Sequence, residues 1–105
     1  MKVRLTRYAE VDTDDAVEWH EKQRPGLGAE FFDAVSEAIA QIGHDPLRFG
    51  RLETIRINRN IRRFLVVRFH YIVVFEPEDS EIVVHAVMHT SRSPRQIRTR
   101  LNKSE

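Results

Sequence analysis

Residues 61–75 read Ile-Arg-Arg-Phe-Leu-Val-Val-Arg-Phe-His-Tyr-Ile-Val-Val-Phe, and this segment predicts the central part of a β-sheet. Two runs rich in β-branched and aromatic residues, at 62–67 and 71–76, flank a short turn, which predicts a β-hairpin. The Pro-Glu-Asp-Ser at 77–80 has the composition of a second turn, and a third strand is predicted at 81–89. Consecutive strands joined by short turns predict an antiparallel meander.

Strict alternation along the third strand would divide its side chains between the two faces of the sheet. The even-numbered residues 82–88 would share one face and the odd-numbered residues 83–89 the other, which places His85 and His89 together. Two histidines on one face invite a metal site. Because no third ligand stands at a recognised spacing, we expect no metal. We expect no other cofactor either.

Upstream of the sheet, the sequence predicts a short strand at 2–5 and two helices at about 8–23 and 27–44. The second helix has the clearer helical period. Its continuous apolar stripe consists of Phe31, Phe32, Val35, Ala38, Ile39 and Ile42. Arg-Pro-Gly-Leu-Gly at 24–28 predicts a tight turn, so the two helices should pack antiparallel as a hairpin. The order β-α-α-β-β-β predicts an α+β, two-layer fold, with the helical hairpin packed on one face of an antiparallel sheet.

The length of 105 residues indicates one domain, 1–105, in which residues 94–105 form a basic C-terminal tail. Ser93 and Pro94 have the residue types that begin a helix there. The chain contains no cysteine, which excludes disulfides and thiolate metal sites. The N-terminus has no apolar segment typical of a secretory signal, and the longest apolar run, 71–75, is too short to cross a bilayer. We therefore expect a soluble cytoplasmic protein without a membrane partner.

The charge is divided between the two halves of the chain. Residues 1–55 contain seven Lys and Arg against eleven Asp and Glu, whereas residues 56–103 contain ten Lys and Arg against four Asp and Glu. The overall net charge of +1 therefore hides an acidic helical half and a basic β half. A basic sheet of this kind predicts an anionic partner.

Four phrases in order carry a resemblance to a known family. They are Ala-Val-Glu-Trp-His-Glu-Lys-Gln-Arg-Pro-Gly-Leu-Gly at 16–28, Ile-Arg-Arg at 61–63, Arg-Phe-His-Tyr-Ile-Val-Val-Phe at 68–75 and Val-Met-His-Thr-Ser-Arg-Ser-Pro at 87–94. Together they resemble the RelE/ParE superfamily of toxins from type II toxin–antitoxin modules, which includes plasmid stabilisation proteins. His70 stands where the typical phrase of the family has proline, in a turn.

The resemblance implies one of two activities. ParE-like members inhibit DNA gyrase and are not known as hydrolases, whereas RelE-like members cleave messenger RNA in the ribosome. The chain has no tyrosine after Tyr71 and no lysine between Lys22 and Lys103, so residues typical of the nuclease are missing. We therefore expect a ParE-like toxin that causes growth arrest through gyrase. A RelE-like, ribosome-dependent endonuclease is the alternative, and an inactive remnant of a module is a third possibility.

Candidate site residues follow from the basic half of the chain. A metal-independent ribonuclease would draw on Arg62, Arg63, His89 and Arg92. The target-binding candidates are Arg62, Arg63, Arg68, Arg92, Arg95 and Arg98. Arg62 and Arg63 should point to opposite faces of their strand, so only one of them can belong to a site on a given face. The tail arginines could equally be a solvated end.

The resemblance also implies a cognate antitoxin, bound in a hetero-oligomer. A small two-layer fold cannot easily bury all of its aromatic side chains, and exposed aromatic residues mark partner surfaces. The antitoxin-binding candidates are Trp19, Phe31, Phe32, Phe64 and Phe69. We expect an antitoxin segment to dock along an apolar groove and a sheet edge.

Overall fold

The computed structural model describes residues 1–52 and 58–103. Its elements are β1 (Lys2–Leu5), α1 (Arg7–Gln23), α2 (Leu27–His44), β2 (Arg62–Val66), β3 (Tyr71–Pro77), β4 (Glu81–His89) and α3 (Pro94–Leu101). Short 3-10 turns at Pro46–Arg48 and Val67–Phe69 connect them. The predicted order of elements is confirmed. The last two residues of the predicted tail lie outside the described residues.

The four strands form one sheet in the order β1-β4-β3-β2. The meander of β2, β3 and β4 is antiparallel, as predicted, whereas β1 runs parallel to β4 from Lys2 beside Glu81 to Leu5 beside Val84. Because β1 covers only the first half of β4, the second half of that strand has no strand neighbour on its outer side among the described residues. No helix in the described ranges is long and apolar enough to cross a bilayer.

The helical hairpin covers one face of this sheet. Thr6 caps α1 by accepting a hydrogen bond from the Ala9 N–H at 3.1 Å, and Gly26 turns the chain into α2 with a φ of 90°. The helices approach closely at Gly28, where a Cβ atom would lie 2.7 Å from the carbonyl oxygen of Val17. The core between hairpin and sheet is formed by Ala9, Ala16, Phe31, Val35, Ala38, Ile42, Val66, Val73, Phe75, Ile82, Val84 and Val87.

A β-bulge interrupts the pairing of β3 with β4. Val74 lies opposite Ala86 and Phe75 lies opposite Val84, so His85 is the extra residue in β4. A bulge lets two residues of one strand oppose a single residue of its partner, and it shifts the alternation of side chains along the strand.

The bulge changes which side chains of β4 share a face. Ile82 and Val84 pack under the helical hairpin, but Ala86 and Met88 belong to a second apolar cluster on the opposite face. Uniform alternation over 81–89 is therefore wrong beyond Val84. The pattern of apolar residues along β4 contains no local signal that His85 is an extra residue, so the sequence does not predict the bulge.

The basic tail contains a helix, α3, that covers the second face of the sheet. Ser93 and Gln96 form a capping box at its start, and Pro94 occupies its first turn. Ile97 and Leu101 are buried on the side of α3 that faces the sheet. They pack with Leu52, Ile61, Ile72, Val74, Ala86 and Met88. The predicted hairpin-on-sheet arrangement is present, and α3 adds a short cover on the other side.

Candidate functional site

The predicted aromatic surface consists of exposed and buried members. Trp19 is 57% exposed and Phe32 is 52% exposed, whereas Phe31 is fully buried. The expectation that Phe31 lies on an exposed surface is therefore wrong, because a helix turns by about 100° per residue and directs Phe31 toward the sheet. Phe64 and Phe69 are half-buried and pack against the core.

Trp19 borders an apolar groove between α1 and the ends of β3 and β4. The groove is lined by Trp19, His20, Arg68, Phe69, Tyr71 and His89. His20 is buried beneath it, stacks on the Phe31 ring at a centroid distance of 4.5 Å and meets the Phe69 ring edge-on at 5.1 Å. Its Nδ1 donates to the carbonyl oxygen of Ala16 at 2.6 Å. An exposed tryptophan beside a rigid aromatic floor is typical of a protein-recognition surface.

His89 lies at the exposed end of β4. Its ring meets the Tyr71 ring edge-on, with centroids 5.4 Å apart, and its Nδ1 accepts a hydrogen bond from the Ser91 N–H at 3.1 Å. Burial raises the pKa of Tyr71, so its phenol is a proton donor rather than a base at neutral pH. These groups could exchange protons with a bound substrate only if that substrate reaches the end of the strand.

A neighbouring groove is lined by Arg92 together with Tyr71 and His89. The structure thus brings together three of the groups that phosphodiester cleavage would need. Asp12 and Asp15 line the same groove, and their negative charges oppose a phosphate at this place.

His85 lies on the opposite face from His89 because of the bulge, so the predicted pairing of the two histidines is wrong. The Nε2 of His85 is 2.9 Å from the Oε1 of Glu76, which Arg59 holds with two hydrogen bonds of 2.6 and 3.1 Å. These bonds lower the pKa of Glu76, and the one from Arg59 has the largest effect. Arg59 also donates to the carbonyl oxygen of Leu101 at 3.0 Å, which ties α3 to the sheet. Among the described residues no group of three or more His, Cys, Asp or Glu side chains could hold a metal ion.

Two of the predicted target-binding arginines form hydrogen bonds to other residues of the chain. Arg62 donates to the carbonyl oxygen of Phe49 at 2.5 Å and to the Oδ1 of Asn60 at 3.0 Å. These bonds give Arg62 a structural role at the entry to β2, and its role as a target or catalytic residue stays a prediction. Arg68 donates to Glu30 on α2, and this hydrogen bond lowers the pKa of Glu30.

Arg63, Arg92, Arg95 and Arg98 remain exposed. None of them has an acidic partner in the part of the chain that the structure describes. Arg51, which no sequence pattern indicated, lines one groove with Arg63 and Arg92. Its position follows from a single backbone bridge between Arg51 and Arg62, and no local pattern around residue 51 predicts that bridge.

Arg100 differs from the other cations of the tail. Its guanidinium forms a bidentate pair with Asp12, at 2.6 and 2.9 Å, and donates to the carbonyl oxygen of His85 at 3.2 Å. The Asp12 carboxylate also accepts from the Val87 N–H at 3.0 Å, on the side of β4 that β1 leaves uncovered. Asp12 lies on the buried side of α1, between Ala9 and Ala16. A buried carboxylate needs a charged or hydrogen-bonding partner, so its position in the sequence was the signal that could have indicated this pair.

Comparison with known proteins adds to these observations. Residues 3–94 match the family model described as the ParE toxin of the type II toxin-antitoxin system, parDE. A chain of the solved structure described as "Chromosomal ParDE TA system from P. aeruginosa" is similar in fold, with a TM-score of 0.73 at 16% sequence identity. The similarity covers 85% of this chain and 95% of that chain. None of the curated proteins matches this sequence.

Proposed function

Because this chain belongs to the ParE toxin family of type II toxin–antitoxin systems, we propose that it arrests growth by inhibiting DNA gyrase and that a cognate antitoxin neutralises it. The observation that carries the proposal is the family match over residues 3–94, which includes the helical hairpin, β2, β3, β4 and all of β1 except Lys2. In this proposal the toxin acts by binding its target and uses no catalytic residue.

The surface chemistry supports two separate partners. The exposed aromatic residues Trp19 and Phe32 belong to the helical hairpin. The unpaired arginines Arg63, Arg92 and Arg95 lie on the α3 side and at the start of α3. The two surfaces meet where Trp19 and Arg92 line one groove. The apolar surface can serve an antitoxin and the basic surface an anionic target.

The outer side of the hairpin suits a basic amphipathic segment of the antitoxin. A shallow groove between α1 and α2 has Val17 and Phe32 as its apolar part. Asp14, Glu18 and Glu21 line the same groove together with Lys22, which pairs with Glu18 at 3.1 Å, so the groove keeps a net negative charge. A helix with apolar anchors and flanking lysines or arginines would complement both features. Arg51 bridges Arg62 at the start of β2, but no described residue pairs with the outer edge of the strand beyond Arg63. This second half of β2, where Leu65 is 44% exposed, is the proposed place for strand addition.

The antitoxin surface is tested with the double variant Trp19→Ser/Phe32→Ser. We expect its affinity for the small protein encoded beside the toxin gene to fall by about 1,000-fold, because anchor residues of this kind contribute about 2 kcal/mol each. Calorimetric titration measures the affinity, and a thermal melt verifies the fold. Leu47→Ser is the control, since Leu47 is 62% exposed but lies outside the hairpin. Equal affinities for the double variant and wild type would remove this surface from the interface.

The target is tested in a gyrase supercoiling assay with relaxed plasmid. Purified toxin should inhibit supercoiling, and an equimolar amount of the antitoxin should restore it. In cells, induction should stop growth and trigger a DNA-damage response while messenger RNA stays intact. A folded toxin that leaves both gyrase and growth unaffected would identify an inactive member of the family.

Messenger RNA cleavage is the second candidate function, and one observation favours it. Tyr71, His89 and Arg92 line a common groove, which combines two groups that transfer protons with a phosphate-binding cation. Mapping of messenger RNA 5′ ends after induction would separate the two functions. Cuts at fixed codon positions that disappear in a His89→Ala variant would establish the nuclease and overturn the gyrase proposal.

A further inference from the structure

Two grooves on the α3 side of the molecule meet at Arg92. The first also contains Arg51 and Arg63, and the second also contains Arg95 and Lys103. Among the described residues, neither groove is lined by a carboxylate, although the chain has 16 Asp and Glu. Together they form a basic surface, which we call the arginine track, made of Arg51, Arg63, Arg92, Arg95 and Lys103.

The cations of the track differ from the other arginines nearby in lacking internal counter-charges. Arg59 and Arg100 are paired with carboxylates at 2.6 Å. Arg63, Arg92 and Arg95 form no ion pair within the described ranges, and Arg51 donates only to a backbone carbonyl, that of Arg59. Several like charges placed together without counter-charges favour an anion from outside.

The shape of the track suits an extended anion with several phosphates. Leu52, Ile72 and Ile97 give the first groove an apolar floor, and the hydroxyl group of Thr90 adds a neutral donor. Guanidinium groups bind phosphate oxygens through two parallel N–H donors, so each arginine can hold one phosphate. A third groove also contains Arg92, but Asp12 and Asp15 line it, and their charges would end the path of a polyanion there.

We propose that the arginine track binds the phosphodiester backbone of DNA, so that the toxin contacts the DNA held by its target as well as the target itself. This inference rests on the proposed function, because it is gyrase that places DNA beside the toxin. Within the described residues, the track contains no histidine, tyrosine or carboxylate that could accept a proton. Arginine stays protonated in proteins, so the track binds a phosphodiester without cleaving it.

The track is tested by fluorescence anisotropy with the full-length toxin and a labelled duplex of about 20 base pairs, in the absence of gyrase. The logarithm of the binding constant should fall linearly with the logarithm of the salt concentration, by about 0.9 for each phosphate neutralised. The Arg63→Ser/Arg92→Ser variant should bind at least about 10-fold more weakly, and its slope should be smaller by about 2. Lys2→Ser/Arg7→Ser is the matched control, since it removes the same charge from exposed positions outside both grooves.

The outcomes separate the track from the proposed function. Equal affinity and slope for the track variant and the control, with both folded by circular dichroism, would overturn the track. Tighter binding of single-stranded RNA than of DNA at the same salt concentration would also overturn the assignment to DNA. Gyrase inhibition without DNA binding would contradict only the proposal that the arginine track binds DNA. DNA binding without gyrase inhibition would contradict only the proposed function.

Discussion

Two neighbouring phenylalanines on α2 show how a single position divides core from surface. Phe31 is fully buried against His20 and Phe69, whereas Phe32 is 52% exposed. We expect Phe31→Ala to lower the free energy of unfolding by about 3–5 kcal/mol, and Phe32→Ala to lower it by less than about 1 kcal/mol. Urea denaturation measures both values. Similar losses for the two variants would contradict this difference in burial.

A second residue, Glu76, should make stability depend on acid pH. Its pKa in the folded chain lies below the ordinary value of a glutamate, chiefly because Arg59 donates hydrogen bonds to its carboxylate. The stabilisation is therefore fully present above the pKa of the unfolded chain and is lost as the pH falls through the folded pKa. Urea midpoints measured below about pH 4.5 should fall more steeply for wild type than for Glu76→Gln.

At neutral pH the Glu76→Gln variant should be about 2 kcal/mol less stable, because it loses charge-assisted hydrogen bonds. Glu10→Gln is the control, since Glu10 is exposed on the first turn of α1. Parallel pH profiles for wild type and Glu76→Gln would show that Glu76 does not cause the acid dependence.

Among the elements, α3 depends on the pair between Asp12 and Arg100. Asp12→Ala would leave the Arg100 guanidinium and the Val87 N–H without their partner. We expect a loss of about 3 kcal/mol in the free energy of unfolding, together with faster hydrogen exchange of the α3 amides. Asp14→Ala, at an exposed position two residues away, should change stability by less than about 0.5 kcal/mol. Equal stability and exchange in both variants would disprove this role of the pair.

The elements themselves were largely predictable, because their signals are local. The cap at Thr6, the turn around Gly26 and the helix start at Ser93 each depend on a few adjacent residues. The parallel pairing of β1 with β4 joins segments about 80 residues apart, and the bulge depends on how two strands align. Such long-range pairings have no counterpart in a local pattern, so the face of His85 was predicted wrongly.

Across the whole molecule, the acidic and basic halves of the sequence do not translate directly into acidic and basic surfaces. Some of their charges are paired within the chain, and only the remaining ones are available at the surface. No sequence pattern separates Arg62 and Arg100, which are held by hydrogen bonds within the chain, from Arg63 and Arg92, which are exposed. Their neighbours in sequence are equally basic, and only the tertiary contacts distinguish them. The candidate site was therefore predictable as a basic half of the chain but not residue by residue.

The exposed arginines of the tail should be necessary for toxicity. We expect Arg92→Ser/Arg95→Ser/Arg98→Ser to relieve growth arrest, because each lost charge weakens the attraction to an anionic target. The fold and the antitoxin complex should be unchanged, since Arg100 is left in place. Growth after induction and co-purification with the antitoxin measure these effects. Unchanged growth arrest would mean that the three side chains are a solvated end of the chain.

The bulge at His85 also determines which single-residue deletions β4 can tolerate. An in-frame loss of codon 85 would bring Val84 and Ala86 together opposite Phe75 and Val74, which are already adjacent, and would restore one-to-one pairing. Every remaining side chain of the strand would keep its present face. The loss of a codon elsewhere within the strand would shift one part of it by a residue and exchange its faces. Natural length variation in this strand should therefore be concentrated at a single codon.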